Sequence, residues 1–286
     1  ASPPAALRSE AILDRATLES WGVAHPSRLA FDAEGALYVL DTSRRRLVKV
    51  GVDGGLIHEV ALSGDDPSSS TEPADVVVDA RGSVLVLDRA GASILAYDKN
   101  GALLAARPFA PDLAEEARDP RASLLLDAFG RLWLLAPRER DLVRLDASLA
   151  PDRAGRFLTP EDSVGTPGAA AATPNGEAWI ADRLSGTLHR YRASGALAGT
   201  ARFDSTGAAV TALAGDGSGY VYAADARGER ILVFGSDGAR VLERAVGGPS
   251  RHWKPAALAW SPRDRLAAAD PDNGEVQIFA IERGRP

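Results

Sequence analysis

The sequence predicts an all-β fold: one six-bladed β-propeller domain, residues 1–286, whose N-terminal strand closes the last blade. Three observations predict it. A string of two apolar strands joined by a short turn occurs six times at nearly constant spacing. Two more strand-like segments follow it in the complete repeats. The last repeat lacks its fourth strand, and a matching segment lies near the N-terminus.

The repeated string is visible by eye in the printed sequence. It reads LAFDAEGALYVLD from Leu29, VVVDARGSVLVLD from Val76, LLLDAFGRLWLLA from Leu124, AAATPNGEAWIAD from Ala170, LAGDGSGYVYAAD from Leu213 and LAWSPRDRLAAAD from Leu258. Equivalent positions lie 43 to 48 residues apart at Asp32, Asp79, Asp127, Thr173, Asp216 and Ser261. Since four strands in about 45 residues form one propeller blade, we predict blades that start near residues 26, 73, 121, 167, 210 and 255.

The ring closure follows from a comparison of the two chain ends. Repeat 6 ends after its third strand, Val276–Ile281. Residues Ile12–Ala16 lie fourteen positions before Pro26, just as the outer strand of repeat 5, Val241–Ala245, lies fourteen before Pro255. We therefore predict that residues 11–17 form the outer strand of blade 6 and remove an exposed sheet edge.

Each repeat also has a recurrent polar pattern. Proline precedes the inner strand at Pro26, Pro73, Pro167 and Pro255, and aspartate follows the second strand at Asp41, Asp88, Asp182, Asp225 and Asp270. With the Arg-Ile/Leu-x-x-Tyr/Phe third strand and the Asp-Gly turn, this pattern resembles the NHL repeat of the TolB-like and NHL-like propellers over nearly the whole chain. Repeat 3 departs from it, with Ala136 and Arg121 in place of the Asp and the Pro, and repeat 5 has Val210 in place of the Pro.

The recurrent aspartates have a structural and a catalytic interpretation. Each follows a strand and precedes a tight turn, where an Asp side chain accepts backbone N–H bonds. We therefore interpret them as turn residues and not as a metal or catalytic set.

Composition limits the functional classes. A net charge of −6 and a pI near 5.4 disfavour a nucleic-acid partner, and the absence of cysteine excludes disulfides and thiolate metal sites. No apolar run is long enough for a membrane-spanning helix. The absence of methionine and the small, Pro-rich start Ala1–Ala6 predict an exported protein, periplasmic or extracellular, from which a signal peptide has been removed. A trimmed chain would look the same.

The predicted channel mouth gathers the residues that could carry chemistry. The set comprises His25, Glu72, Asp75, His252 and Lys254, from blades that become neighbours when the ring closes. Such a set suits acid/base work or a divalent metal, and it also suits an ion-pair network around a polar funnel. We favour the network and expect no cofactor, because blades 3 to 5 offer mostly Pro, Thr, Ala and Gly here. A divalent metal in the channel is the alternative.

A second candidate site is the face that carries the turns between second and third strands. The arginines predicted there are Arg44, Arg45, Arg46, Arg138, Arg140, Arg183, Arg227 and Arg230. Long acidic connections at 63–72, 110–120 and 158–166 share this face, which disfavours RNA. Because Arg is favoured at protein interfaces, the leading hypothesis is a non-catalytic module that docks a protein partner in a larger exported or cell-envelope assembly. The alternatives are a metal-dependent lactonase or lyase and a carbohydrate or small-ligand binder at the channel mouth.

Overall fold

The computed structural model confirms the six-bladed β-propeller, with six four-stranded antiparallel sheets. It describes residues 2–62, 71–127, 129–156, 164–183, 185–203, 209–247 and 251–284. The chain begins with β1 (Pro4–Leu13) and α1 (Arg15–Ser20).

The blades follow one another along the chain. Blade 1 contains β2 (Arg28–Phe31), β3 (Leu37–Asp41), β4 (Arg46–Val50) and β5 (Leu56–Ala61), and blade 2 contains β6 (Pro73–Val78), β7 (Val84–Asp88), β8 (Ser93–Tyr97) and β9 (Leu103–Pro108). Blade 3 contains β10 (Ser123–Leu126), β11 (Leu132–Ala136), β12 (Asp141–Leu145) and β13 (Pro151–Arg156), preceded by the short α2 (Ala114–Ala117). Blade 4 contains β14 (Pro167–Ala172), β15 (Ala178–Asp182), β16 (Thr187–Tyr191) and β17 (Leu197–Arg202). Blade 5 contains β18 (Val210–Gly215), β19 (Val221–Asp225), β20 (Arg230–Phe234) and β21 (Arg240–Ala245), and blade 6 contains β22 (Ala257–Ser261), β23 (Arg265–Asp270) and β24 (Glu275–Arg283).

The strands are apolar on both faces because each blade is packed between two others. In β3, Val39 belongs to the core between blades 6 and 1, while its neighbours Tyr38 and Leu40 belong to the core between blades 1 and 2. Successive side chains of a strand point to opposite faces, so each sheet contributes to two cores. The buried residues accordingly form six clusters, one at each blade boundary.

The N-terminal strand closes the ring as predicted, but not at the predicted residues. β1 pairs antiparallel with β24 from Pro4 opposite Arg283 to Leu13 opposite Val276. Of the predicted 11–17, only 11–13 are in this strand; residues 15–20 form α1 instead. The cause is Asp14, whose carboxylate accepts a 2.8 Å bond from the backbone N–H of Thr17 and caps the helix.

The repeated aspartates are each the last residue of a second strand, and their side chains accept backbone N–H bonds, as predicted. Asp41 accepts bonds from the N–H groups of Ala24 and His25, so the carboxylate ties the end of β3 to the segment that leads into β2 of the same blade. Asp88, Asp182, Asp225 and Asp270 make equivalent bonds in their blades.

Blade 3, which has Ala136 at this position, uses a different group. The buried carboxylate of Glu116 in α2 accepts the N–H of Arg138 at 3.1 Å. The long connection before blade 3 thus supplies the acceptor that the repeat lacks.

Within the described ranges, no helix has the length and apolar character to cross a membrane.

Candidate functional site

A central channel runs between the inner strands of all six blades. Its cavity has a volume of about 630 Å³ and is open to solvent. The inner strands start at the upper face, which also carries the turns at 41–46, 88–93, 136–141, 182–187, 225–230 and 270–275. The opposite face, where the first and second strands are joined, is the lower face.

The upper mouth of the channel contains a buried acid and an arginine. Asp75 is 7% exposed; its two oxygens accept N–H bonds from Val76 and Leu124, both at 2.9 Å, so the carboxylate joins the inner strands of blades 2 and 3. The Arg28 guanidinium lies 3.6 Å away. Burial raises the pKa of Asp75, and Arg28 and the two N–H groups oppose this rise without cancelling it.

Two further arginines line the same mouth, Arg121 and Arg183. Arg121 makes a two-point contact with Asp119, at 3.0 and 2.9 Å, and its hydrogen bonds lower the pKa of that carboxyl. Arg183 is exposed, and its side chain lies against Gly168, where a Cβ atom would overlap the Arg183 Cγ and Cδ atoms. No described carboxylate pairs with Arg183.

Of the five residues predicted at the channel mouth, only Asp75 lines the channel. His25 is exposed and its Nδ1 lies 3.1 Å from the carbonyl of Pro271. Glu72 pairs with Arg89 at 2.6 Å, and His252 is 91% exposed beside Glu229. The side chain of Lys254 is exposed.

These positions do not form the polar funnel that the sequence analysis described. Within the described part of the chain, no group of three or more His, Asp or Glu side chains is placed to hold a metal ion.

The arginines of the upper face differ in whether a described carboxylate pairs with them. Arg46 pairs with Glu59 at 2.6 Å, Arg138 with Glu115 at 3.1 Å, and the largely buried Arg230 with Asp225 and Glu243 at 3.0 and 3.2 Å. Arg227 lies in the turn of blade 5, and Arg183 lies at the channel mouth. Arg44 donates to the carbonyl of Gly22 at 3.4 Å. No described carboxylate forms an ion pair with Arg44, Arg45 or Arg140.

Arg45 and Arg140 occupy an unusual backbone position. Four residues after the end of each second strand, the chain adopts a positive φ in every blade: Arg45 (52°), Ala92 (44°), Arg140 (56°), Gly186 (64°), Glu229 (49°) and Gly274 (62°). This left-handed conformation favours glycine, which blades 4 and 6 use. Blades 2 and 5 have Ala92 and Glu229 there, and blades 1 and 3 have arginine, despite the cost.

The acidic connections of this face are described only in part. Residues 63–70 and 157–163, with Asp65, Asp66, Glu161 and Asp162, lie outside the described residues. In the connection at 110–120, Glu115 pairs with Arg118 and Arg138, and Asp119 pairs with Arg121. These carboxylates therefore pair with arginines of their own connection and of the neighbouring turn of blade 3.

Sequence reasoning did not place Arg121 at the channel mouth, and it assigned Arg183 only to the partner-binding upper face. The sequence held a signal for each arginine. Arg121 replaces a proline of the repeat. For Arg183 the signal is Gly168, since the other five inner strands have a larger residue at the equivalent position.

The fold is shared with solved structures of low sequence identity. A streptogramin B lyase structure matches with a TM-score of 0.70 at 10% identity, covering 91% of this chain and 94% of that chain. A catalytically inactive histidine-to-alanine variant of virginiamycin B lyase from Staphylococcus aureus, in a structure with quinupristin, matches with a TM-score of 0.58 at 13% identity, covering 90% and 85%. The β-propeller domain of Cps50 (Swd1) from Myceliophteria thermophila matches with a TM-score of 0.67 at 12% identity, covering 97% and 100%.

At these identities the matches show the propeller fold alone. No protein-family model and no curated protein sequence matches the chain.

Proposed function

We propose that this propeller is a non-catalytic binding module that docks an acidic surface of a protein partner on its upper face, over blades 1 to 3. It is an NHL-like propeller of an exported or cell-envelope assembly in this proposal. The contacts to the partner are made by Arg44, Arg45 and Arg140, with the channel mouth beside them.

One observation supports this proposal above the others: Arg45 and Arg140 have left-handed backbone conformations, with φ of 52° and 56°. A non-glycine residue pays about 1 kcal/mol or more for this conformation. No described carboxylate forms an ion pair with either arginine, so both guanidinium groups are available to a partner. Planar guanidinium groups held at the tips of two rigid turns suit paired contacts with carboxylates of another protein.

The proposal predicts that stability and docking respond in opposite directions to changes at these positions. R45G/R140G should raise the free energy of unfolding by about 0.5–1 kcal/mol per site, because relief of the left-handed strain exceeds the added entropy of the unfolded chain. The same variant should weaken binding to the partner by at least tenfold. Urea unfolding measures the first effect; titration of the purified partner, isolated with the wild-type chain as bait, measures the second.

Two further variants separate charge from backbone conformation. R45Q/R140Q keeps the strained conformation and removes the charge, so we expect binding to fall as in the glycine variant with stability unchanged. R81Q/R192Q removes two exposed arginines from lower-face turns and should leave binding intact. A partner that binds wild type and R45Q/R140Q equally well would show that this face is not the docking site.

The alternative, a metal-dependent lyase or lactonase, makes a different prediction. It requires a stoichiometric divalent metal that is lost when His25 or Glu72 is replaced. We expect elemental analysis of the purified protein to find no such metal, since His25 and Glu72 contact Pro271 and Arg89 instead of each other. One metal per chain, removed by E72Q, would overturn the binding-module proposal in favour of the enzyme.

A further inference from the structure

The upper half of the channel forms a cationic pocket above an apolar wall. Arg28, Arg121 and Arg183 line the mouth, and below them the wall includes Val76, Leu124 and Leu258. A cavity of about 630 Å³ lies within the range of small-molecule sites, which are concave, mostly apolar and have a few placed polar groups.

The charges at the mouth do not balance. Three guanidinium groups face two carboxylates, Asp75 and Asp119, and this leaves one positive charge without a described partner. Arg121 is neutralised by its two-point contact with Asp119, and Arg28 lies near Asp75. The unpaired charge is therefore that of Arg183.

Gly168 determines where that charge lies. The Arg183 side chain occupies the space that a Cβ atom on residue 168 would need, so it rests on the backbone of β14 and lines the channel. Any other residue at position 168 would force the Arg183 side chain to move.

Carboxylates line the lower end of the channel. Asp32, Asp79, Asp127 and Asp216 line it. Lys49, Arg131 and Arg283 pair with three of them, at 3.0, 2.6 and 3.1 Å, whereas Asp79 accepts only backbone N–H groups among the described residues. A second carboxylate on a ligand would meet Asp79, which has no cationic partner among the described residues.

From these observations we propose that the channel binds a small organic monocarboxylate, with its carboxylate on Arg183 and Arg28 and its apolar body against the inner-strand wall. This site is separate from the docking contacts of Arg44, Arg45 and Arg140. A single carboxylate neutralises the one unpaired charge, and an apolar body of about eight to twelve carbons suits a pocket of this size.

Decanoate, used below its micellar concentration, is a suitable probe, with binding measured by calorimetry. We expect one decanoate to bind per chain. Decan-1-ol, which lacks the carboxylate, and decanedioate, which has a second carboxylate, should each bind at least tenfold more weakly. R183Q should weaken decanoate binding at least tenfold. G168A, which retains every charge but displaces Arg183, should do the same.

The controls distinguish this site from the docking face. R192Q, an exposed lower-face change, and R45Q/R140Q should both leave decanoate binding unchanged. The proposal is overturned if decanoate does not bind, if decan-1-ol binds as tightly as decanoate, or if a folded R183Q variant binds decanoate as the wild type does. Loss of partner docking in R45Q/R140Q with retained decanoate binding supports both sites independently.

Discussion

A chain that begins at Asp14, and so lacks β1, is expected to be largely unfolded at 25 °C. The deletion removes the outer strand of blade 6, including Leu7 and Leu13, which are 3% and 4% exposed. Loss of a buried leucine side chain costs about 2–5 kcal/mol, and whole domains are stable by only about 5–15 kcal/mol. The deletion also exposes the edge of the nine-residue β24 to solvent and to other chains. Circular dichroism during urea unfolding measures the effect.

Two single substitutions in the same strand provide the matched control. L7A should lower the free energy of unfolding by about 2–4 kcal/mol, because Leu7 packs in the core between blades 5 and 6. I12A should change it by less than about 0.5 kcal/mol, because Ile12 is 52% exposed. If the truncated chain unfolds at the same urea concentration as the full one, β1 does not hold the ring closed.

The ring closure shows which features of the fold could be predicted from the sequence alone. The missing fourth strand of repeat 6 indicated that another segment must supply it, since a ring with an open blade would expose a sheet edge. The bounds were wrong because they were copied from the spacing of Val241–Ala245 in blade 5. A local signal, the Asp14 helix cap three residues before Thr17, ended the strand at Leu13.

The channel mouth was predicted less well, and the aspartates at the ends of the second strands explain why. Asp41, Asp88 and Asp270 bind the backbone N–H groups of His25, Glu72 and Lys254. The chain is therefore anchored to the end of the second strand at these positions, and their side chains do not line the channel. The residues that line the channel lie three positions later in each repeat. They are Arg28, Asp75, Ser123, Ala169, Ala212 and Ala257. Repeat alignment finds equivalent positions, but only the three-dimensional structure tells which of them faces the axis.

Replacement of Asp41 by alanine is expected to cost about 2–4 kcal/mol of unfolding free energy. Its carboxylate accepts the N–H groups of Ala24, His25 and Arg44 and the hydroxyl of Ser43, and its side chain is fully buried. Alanine would leave these donors without their acceptor, and the N–H group of Ala24 is buried. D41N keeps the shape and one acceptor oxygen, so it should cost less than D41A in urea unfolding at neutral pH.

The pH dependence of these variants tests the same contacts. Burial opposes ionisation of Asp41, but hydrogen bonds from Ser43 and the N–H groups together lower its pKa in the folded state. A lowered pKa means that the ionised group stabilises the fold above the ordinary aspartate value of about 3.9, and that this contribution is lost as the pH falls through the folded value. The stability advantage of wild type over D41N should therefore shrink as the pH is lowered below about 4.

Glu116, in the connection before blade 3, has the same role as Asp41, but its pKa is shifted in the opposite direction. Burial raises its pKa more than the N–H groups of Arg138 and Glu139 lower it, so its ionised form is disfavoured in the fold. E116Q retains an acceptor for Arg138 and should change stability by less than about 1 kcal/mol at neutral pH. The stability of wild type relative to E116Q should decrease as the pH rises above about 4, opposite in sign to the D41N comparison. Equal pH profiles for D41N and E116Q would show that the blade corner needs only a hydrogen-bond acceptor; opposite profiles would show that the repeated aspartate stabilises the blade through its charge.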